Sequence, residues 1–235
     1  MQDFGAAFGL AFSLVFNADA DLVEIILLSL RVSIGAVALA ALIGFPLGAL
    51  TAVVAFPGRQ AIAVLLNALM GLPPVVVGLL VYMALSRAGP FGWMNLLYSP
   101  AAMIIAQTIL VTPIIAALTR QVVEDMHREY DEQFRSLCIP PRRVIGALIW
   151  DSRYSLLTVT LAGFGRAIAE VGAVIIVGGN IDHLTRVMTT AIALETSKGD
   201  LALALALGFI LLVLALSVNA AVYGLRLSAR RLSYA

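Results

Sequence analysis

Long apolar runs alternate with short polar breaks along the 235-residue chain. The first run extends from Leu22 or Val32 to Phe56 and the second from Ala61 to Leu85. The third covers Pro100 to about Thr119, the fourth about Ser155 to Val177, and the fifth Leu201 to Leu225. A helix needs roughly 20 apolar residues to cross the hydrocarbon core of a bilayer, so each run is read as a transmembrane helix. Ahead of them, Phe4, Phe8, Phe12, Val15 and Phe16 fall at helical spacing in a stretch too short to span. Residues 1–21 are therefore expected to form an interfacial helix, the rival being a disordered end, and residues 22–235 a single membrane domain. Asn17 to Asp21 is a polar break and a candidate helix cap.

The breaks are chemically distinct. GFPLGAL (Gly44–Leu50) places Gly and Pro inside the first span, which membranes tolerate where neighbouring helices pack closely. Pro57-Gly58-Arg59 makes a turn. Gly71-Leu72-Pro73-Pro74 interrupts the second span and forces a kink or a short unwound piece, serving either packing or a moving gate. Ser86 to Ser99 is a short external loop whose Trp93 and Tyr98 suit the headgroup region. Gly178 to Asp200 is a polar segment with some helical potential; Gly178, Gly179 and Asn180 serve there either as a hinge or as an ordinary helix end.

Composition supports an all-α integral membrane protein. Hydrophobic residues make up 61% and charged ones only 12%, about half the charge of a soluble domain. A net charge of +1 without a clustered basic face argues against nucleic-acid binding. The single Cys138 excludes an internal disulfide and, with only His127 and His183 beside it, offers neither a metal centre nor a nucleophile. No basic flank marks a signal peptide, so Met1 onward is expected to stay in the mature protein. Placing residues 120–153 inside collects Arg59, Arg120, Arg128, Arg135, Arg142, Arg143, Arg153, Arg226, Arg230 and Arg231 on one side. Positive residues favour the cytoplasm, so the N-terminus is expected outside and the C-terminus inside, with five spans between.

Glu124 to Asp151 is the only long polar interval. Met126, Tyr130, Phe134 and Leu137 make one stripe of a short amphipathic helix that Pro140-Pro141 ends, and a second helix starts near Arg142. Here the chain resembles the EAA loop of bacterial ABC importer permeases. That pattern is Glu-Ala-Ala, three residues, Gly, nine residues, then Ile-x-Leu-Pro. In this chain Glu132-Gln133-Phe134 stands for the first triplet, Cys138 for Gly, and Leu148-Ile149-Trp150-Asp151 for the last four. LLSLRVS (Leu27–Ser33), GFPLGAL, GLPPVVVG (Gly71–Gly78), AEVGAV (Ala169–Val174) and the Gly179-Asn180-Ile181 run before Thr185-Arg186 follow the order of oxyanion permeases. GRAIAEVGAVIIVGGNI (Gly165–Ile181) and TRVMTTAIALETSKGD (Thr185–Asp200) look more like the tungstate-specific permeases than the molybdate ones.

The resemblance implies a type I ABC importer permease of a bacterial or archaeal cytoplasmic membrane. It implies a pathway built from two copies of the chain, two ATPase subunits that bind ATP and Mg, and an extracytoplasmic anion-binding protein. It also makes Tyr130, Asp131, Glu132, Gln133, Phe134, Arg135, Ser136, Leu137, Cys138, Ile139 and Pro140 the ATPase-coupling element, within a loop of about 124–151. The chain lacks a GxxxxGK[ST] loop, so no cofactor is expected in it and no enzymatic role. Candidate pathway or gate residues are Asn67, Pro73, Pro74, Gln107, Thr108, Thr112, Arg166, Glu170, Gly178, Gly179 and Asn180. The polar ones among them equally suit bonds between helices. Arg166 and Glu170, four apart on an expected single helix face, either line the path or form an internal pair that pins helices. Molybdate transport, an ATP-independent carrier and a scaffolding anchor are the competing readings; a carrier usually shows paired halves, and no internal repeat is evident.

Overall fold

The structure is a computed structural model and describes residues 20–233. The expected interfacial helix lies almost wholly outside that range. Among the described residues the elements are helical: α1 Ala20–Val53, α2 Arg59–Leu69, α3 Pro74–Leu85, α4 Pro100–Ser136, α5 Pro141–Asp151, α6 Arg153–Ile168, α7 Gly172–Gly178, α8 Met188–Lys198 and α9 Leu201–Ser233. A single 3₁₀ turn, Gly92–Met94, lies between α3 and α4. α1, α4 and the first part of α9 are each long and apolar enough to cross a bilayer. The pairs α2 with α3 and α6 with α7 meet that test only jointly, bent by 102° and 60°, so the expected five crossings require each bent pair to count as one.

Several boundaries differ from those read off the sequence, each for a local reason. α1 stops at Val53, just ahead of the Pro57-Gly58 turn, where Gly58 takes a left-handed φ of 90°. Of the two forms expected at the paired prolines, the second span takes the short unwound piece: Pro73 is extended, Pro74 opens a new helix, and the two halves meet at 102°. α4 does not end near Thr119. It continues to Ser136 as one helix of 37 residues, about 55 Å long, far more than a hydrocarbon core of about 30 Å. The short amphipathic helix expected from Glu124 is thus the far end of a spanning helix. The polar segment after Gly178 contains α8, and the last helix runs past Leu225 to Ser233.

The chain divides into two compact units. The first holds residues up to Gly35, Pro73–Gln107 and Ile168–Asn219. Within it α3 and α7 pack backbone to backbone. A Cβ on Gly78 would sit 2.8 Å from Ala173 Cα, and one on Gly172 would sit 2.9 Å from Val75 Cγ2. The second halves of both broken spans therefore pair, which only small residues at the crossing permit. Ser29 Oγ of α1 accepts the Met188 amide at the start of α8 at 2.8 Å.

The second unit comprises Ala36–Leu72, Thr108–Ala167 and the end of α9. Its seam is α1 against α4. Gly44-x-x-x-Gly48 puts two glycines on one face, where a Cβ on Gly44 would lie 2.8 Å from Ile115 Cγ2 and one on Gly48 would meet the Ala116 carbonyl oxygen. Thr108 Oγ1 donates to the Ala36 carbonyl across the same seam at 3.4 Å, and Thr112 Oγ1 donates to the Thr108 carbonyl at 2.7 Å. Large apolar side chains such as Leu27, Ile34, Leu42, Leu212 and Leu216 stay exposed, as expected where lipid is the solvent.

Candidate functional site: the α4–α5 projection

The polar half of α4 carries a ladder of charged pairs. Arg120 pairs with Glu124 at 3.2 Å, His127 stands 3.8 Å from Asp131, and Arg135 pairs with Asp131 at 2.9 Å, all four residues apart. Only the last of these has the acid N-terminal to the base, the better order on a helix. Arg135 also sits in the last turn, where a cation opposes the negative helix end.

Beneath the ladder lies a small core of Ala49, Ala52, Val123, Val144 and Leu148, with Met126, Tyr130, Phe134 and Ile139 packed against it. The stripe legible in the sequence therefore points inward, onto α5 and the end of α1. Phe134 also stacks at a tilt against Tyr130, centroids 6.2 Å apart, and His127, 6.3 Å. Leu137 is the exception: it lies past the helix end and is 69% exposed.

The turn is tight. The Ile139 amide donates to the Phe134 carbonyl at 3.1 Å and the Cys138 amide to the Arg135 carbonyl at 3.1 Å. Cys138 adopts φ 51°, the left-handed conformation that glycine takes without cost. This gives a physical reason for the Gly of the EAA pattern at this position. Pro140 is extended, and Pro141 starts α5 where its missing amide costs nothing. Glu132, Gln133, Arg135, Ser136, Leu137, Cys138 and Pro140 form the exposed tip, Asp131 is half-buried, and Tyr130, Phe134 and Ile139 support it from below.

Sequence reasoning overlooked the fastening at the base of this projection. Arg59, the first residue of α2, donates to the Thr51 carbonyl at 2.7 Å and the Ala52 carbonyl at 2.8 Å, two acceptors at the open end of α1. Its guanidinium also reaches Glu124 at 3.3 Å, so Glu124 holds both Arg59 and Arg120. One carboxylate thus joins the end of α1, the start of α2 and the middle of α4. The Pro-Gly turn before Arg59 was the available signal, since a turn of that length returns the next side chain to the helix end it left.

The candidate pathway residues divide between the two units: Asn67, Thr112 and Arg166 in one, Pro73, Pro74, Gln107, Glu170, Gly178, Gly179 and Asn180 in the other. Arg166 and Glu170 do not share a helix, because α6 ends at Ile168 and Glu170 lies in the break before α7. Glu170 is only 4% exposed. Its Oε1 accepts the Ala173 amide at 3.2 Å, and its carbonyl accepts the Thr189 hydroxyl at 2.8 Å. Asn67 and Pro73 are exposed and Gln107 is buried. Gly179 ends α7 at φ 72°, where a Cβ would sit 2.8 Å from the Tyr98 ring. Gly178 and Gly179 are bound into that cap: the Gly179 amide bonds Ile175 and the Gly178 carbonyl takes the Thr185 hydroxyl at 2.6 Å. Asn180 follows at φ 50° and donates to the Thr190 carbonyl at 3.4 Å.

Residues 44–231 match the family described as binding-protein-dependent transport system inner membrane component. The chain belongs to that family. It is an ABC importer permease with a multi-pass inner-membrane fold whose elements are helical among the described residues, a transport subunit and not itself an enzyme. It is 40% identical to the tungstate uptake system permease protein TupB of Peptoclostridium acidaminophilum over 226 residues, covering 96% of this chain and 99% of the relative. A probable anion ABC transporter permease protein of Haloferax volcanii is 40% identical over 204 residues, 85% of this chain and 88% of that protein. The TupB of Campylobacter jejuni is 36% identical over 209 residues, 89% and 87% of the two chains. As a permease of a binding-protein-dependent system, the chain works with a binding protein and an ATPase.

Proposed function

We propose that the chain is the permease subunit of a tungstate importer. Two copies enclose the pathway, two ATPase subunits bind ATP and Mg and supply the energy, and the binding protein delivers the anion from outside. The observation that carries the substrate is the near full-length likeness to two permeases named for tungstate uptake, at 40% and 36% identity. The Haloferax relative is named only for an anion and a more distant relative of Escherichia coli, 27% identical, for molybdenum, so the second reading is that molybdate or another oxyanion is taken. Uptake of labelled tungstate and molybdate by vesicles carrying the whole complex separates the two. Saturable tungstate uptake that needs ATP is expected; ATP-independent uptake overturns the reading, and preference for molybdate replaces tungstate with it.

In this reading the N-terminus faces outward and the tip spanning Tyr130 to Pro140 faces the cytoplasm, where it docks on the ATPase. The α1–α4 seam and the Glu124 fastening carry its motion into the membrane, and Asn67, Pro73, Pro74, Gln107, Thr112, Arg166, Glu170 and Gly178 to Asn180 line or gate the path. The exposure pattern supports a division of labour along the tip. Leu137→Asp, at an exposed apolar side chain, is expected to abolish co-purification of the ATPase while the melting temperature of the permease stays unchanged. Phe134→Asp should instead lower that temperature, because its ring belongs to the internal core. ATPase retention by the Leu137 variant refutes docking at the tip.

A further inference from the structure

Only Ser152 separates α5 from α6. Its hydroxyl donates back to the Leu148 carbonyl at 2.6 Å, and the Leu156 amide bonds the Ser152 carbonyl at 2.9 Å, so the helical register continues through the elbow. Val144, Leu148, Ser152 and Leu156, spaced by four, are all buried. The opposite stripe of Arg143, Ala147, Trp150 and Tyr154 is exposed, with Trp150 at 68%. Gly146 has nothing within 4 Å of where a Cβ would stand, so this face is open.

Arg153 lies between the two rings, its guanidinium carbon 5.1 Å from the Trp150 centroid and 4.6 Å from the Tyr154 centroid. Its Nη1 donates to the Trp150 carbonyl at 2.9 Å, which fixes the fork beside the rings. With Arg142 and Arg143, also exposed, the elbow carries three cations against one carboxylate, Asp151. The apolar run Leu156–Phe164 begins immediately after. Amphipathic rings at the start of an apolar helix suit the headgroup level of a bilayer, and a guanidinium held open beside them offers paired donors to a phosphate.

We propose that the α5–α6 elbow is a binding surface for an anionic phospholipid, with Arg142, Arg143 and Arg153 on the headgroup and the Trp150 and Tyr154 rings at the glycerol level. The charge excess selects an anionic lipid over a zwitterionic one, and the exposed indole gives the face a reason to leave water. This surface lies beyond the Tyr130–Pro140 tip that docks the ATPase and is independent of which anion crosses. Its effect is to tie the base of the projection to one leaflet, giving α5 a fixed footing.

The test uses the full chain in detergent with Trp93→Phe, which leaves Trp150 as the one indole. Brominated phosphatidylglycerol and brominated phosphatidylcholine are titrated in, and quenching of Trp150 fluorescence is followed. Quenching by phosphatidylglycerol at several-fold lower concentration than by phosphatidylcholine, weakened by salt, is expected. Each arginine near an anionic surface is worth about fivefold in affinity, so Arg153→Gln should shift the curve about fivefold and the triple Gln variant on the order of a hundredfold. Arg142→Gln and Arg143→Gln, at exposed side chains, should leave the melting temperature unmoved, and Arg153→Gln, which also gives up the bond to the Trp150 carbonyl, should lower it only slightly. Equal quenching by both lipids overturns headgroup selection. Absence of quenching, or its loss when the ATPase is added, assigns the face to a protein partner and overturns the proposal.

Discussion

Gly48→Ala sets two effects of opposite sign against each other. In an open helix position, replacing glycine by alanine gains about 1 kcal/mol, because the unfolded chain has less freedom to lose. At Gly48 the added methyl would meet the Ala116 carbonyl oxygen and stand 2.8 Å from Thr119 Cβ and 2.9 Å from the Arg120 amide nitrogen. These neighbours are mostly backbone and cannot rotate away, so α1 and α4 must separate by several tenths of an ångström. Overpacking of this kind costs about 1–3 kcal/mol, and a backbone clash lies at the upper end. The net expectation is a loss of about 2 kcal/mol, or a fall of about 4–8 °C in melting temperature. Gly146→Ala is the internal control: that glycine lies within α5 with nothing within 4 Å, so stability should rise by about 0.5–1 kcal/mol. Thermal unfolding in detergent, followed by tryptophan fluorescence, reads both. A Gly48→Ala protein as stable as the parent, beside the expected gain at Gly146, would refute the close α1–α4 seam.

Cys138→Gly should raise stability by about 1 kcal/mol by removing a side chain from the left-handed region, while Cys138→Val should lower it by a similar amount; equal melting temperatures for the two would count against that backbone conformation. Glu124→Gln removes the charge shared by Arg59 and Arg120. Since the groups are about a quarter exposed, a cost of about 1 kcal/mol is expected, with transport per ATP hydrolysed falling more than assembly; an unchanged coupling ratio would make the fastening merely structural. His183 Nδ1 donates to the Glu24 carboxylate at 2.9 Å, and that bond, aided by the charge of Asp182, raises its pKa above the usual 6.5. The protonated pair therefore contributes fully below about pH 6.5 and is lost as pH rises through the elevated value. Amide protection at Leu184–Arg186, corrected for intrinsic exchange, should fall over that window in the parent and stay flat in Glu24→Gln; a flat parent profile would refute the tie.

Hydropathy by itself determined the membrane class, the apolar runs and the polar interval between the third and fourth, because solvation by lipid is a property of composition and needs no partner. The EAA spacing was legible for the same local reason: a turn residue and a proline stop act within a few positions of themselves. What faces what was decided only by the tertiary structure. The Met126–Phe134 stripe is legible as the apolar face of an amphipathic helix, but not that Val144 and Leu148 fold beneath it. A helix expected to stop at Thr119 runs on because cross-helix packing and the charge ladder support it. Arg166 and Glu170 have the spacing of a helical pair, yet the chain bends at Ala169, where α7 docks on α3 through Gly78 and Gly172. Such close approaches depend on residues far apart in the chain, and no local periodicity encodes them.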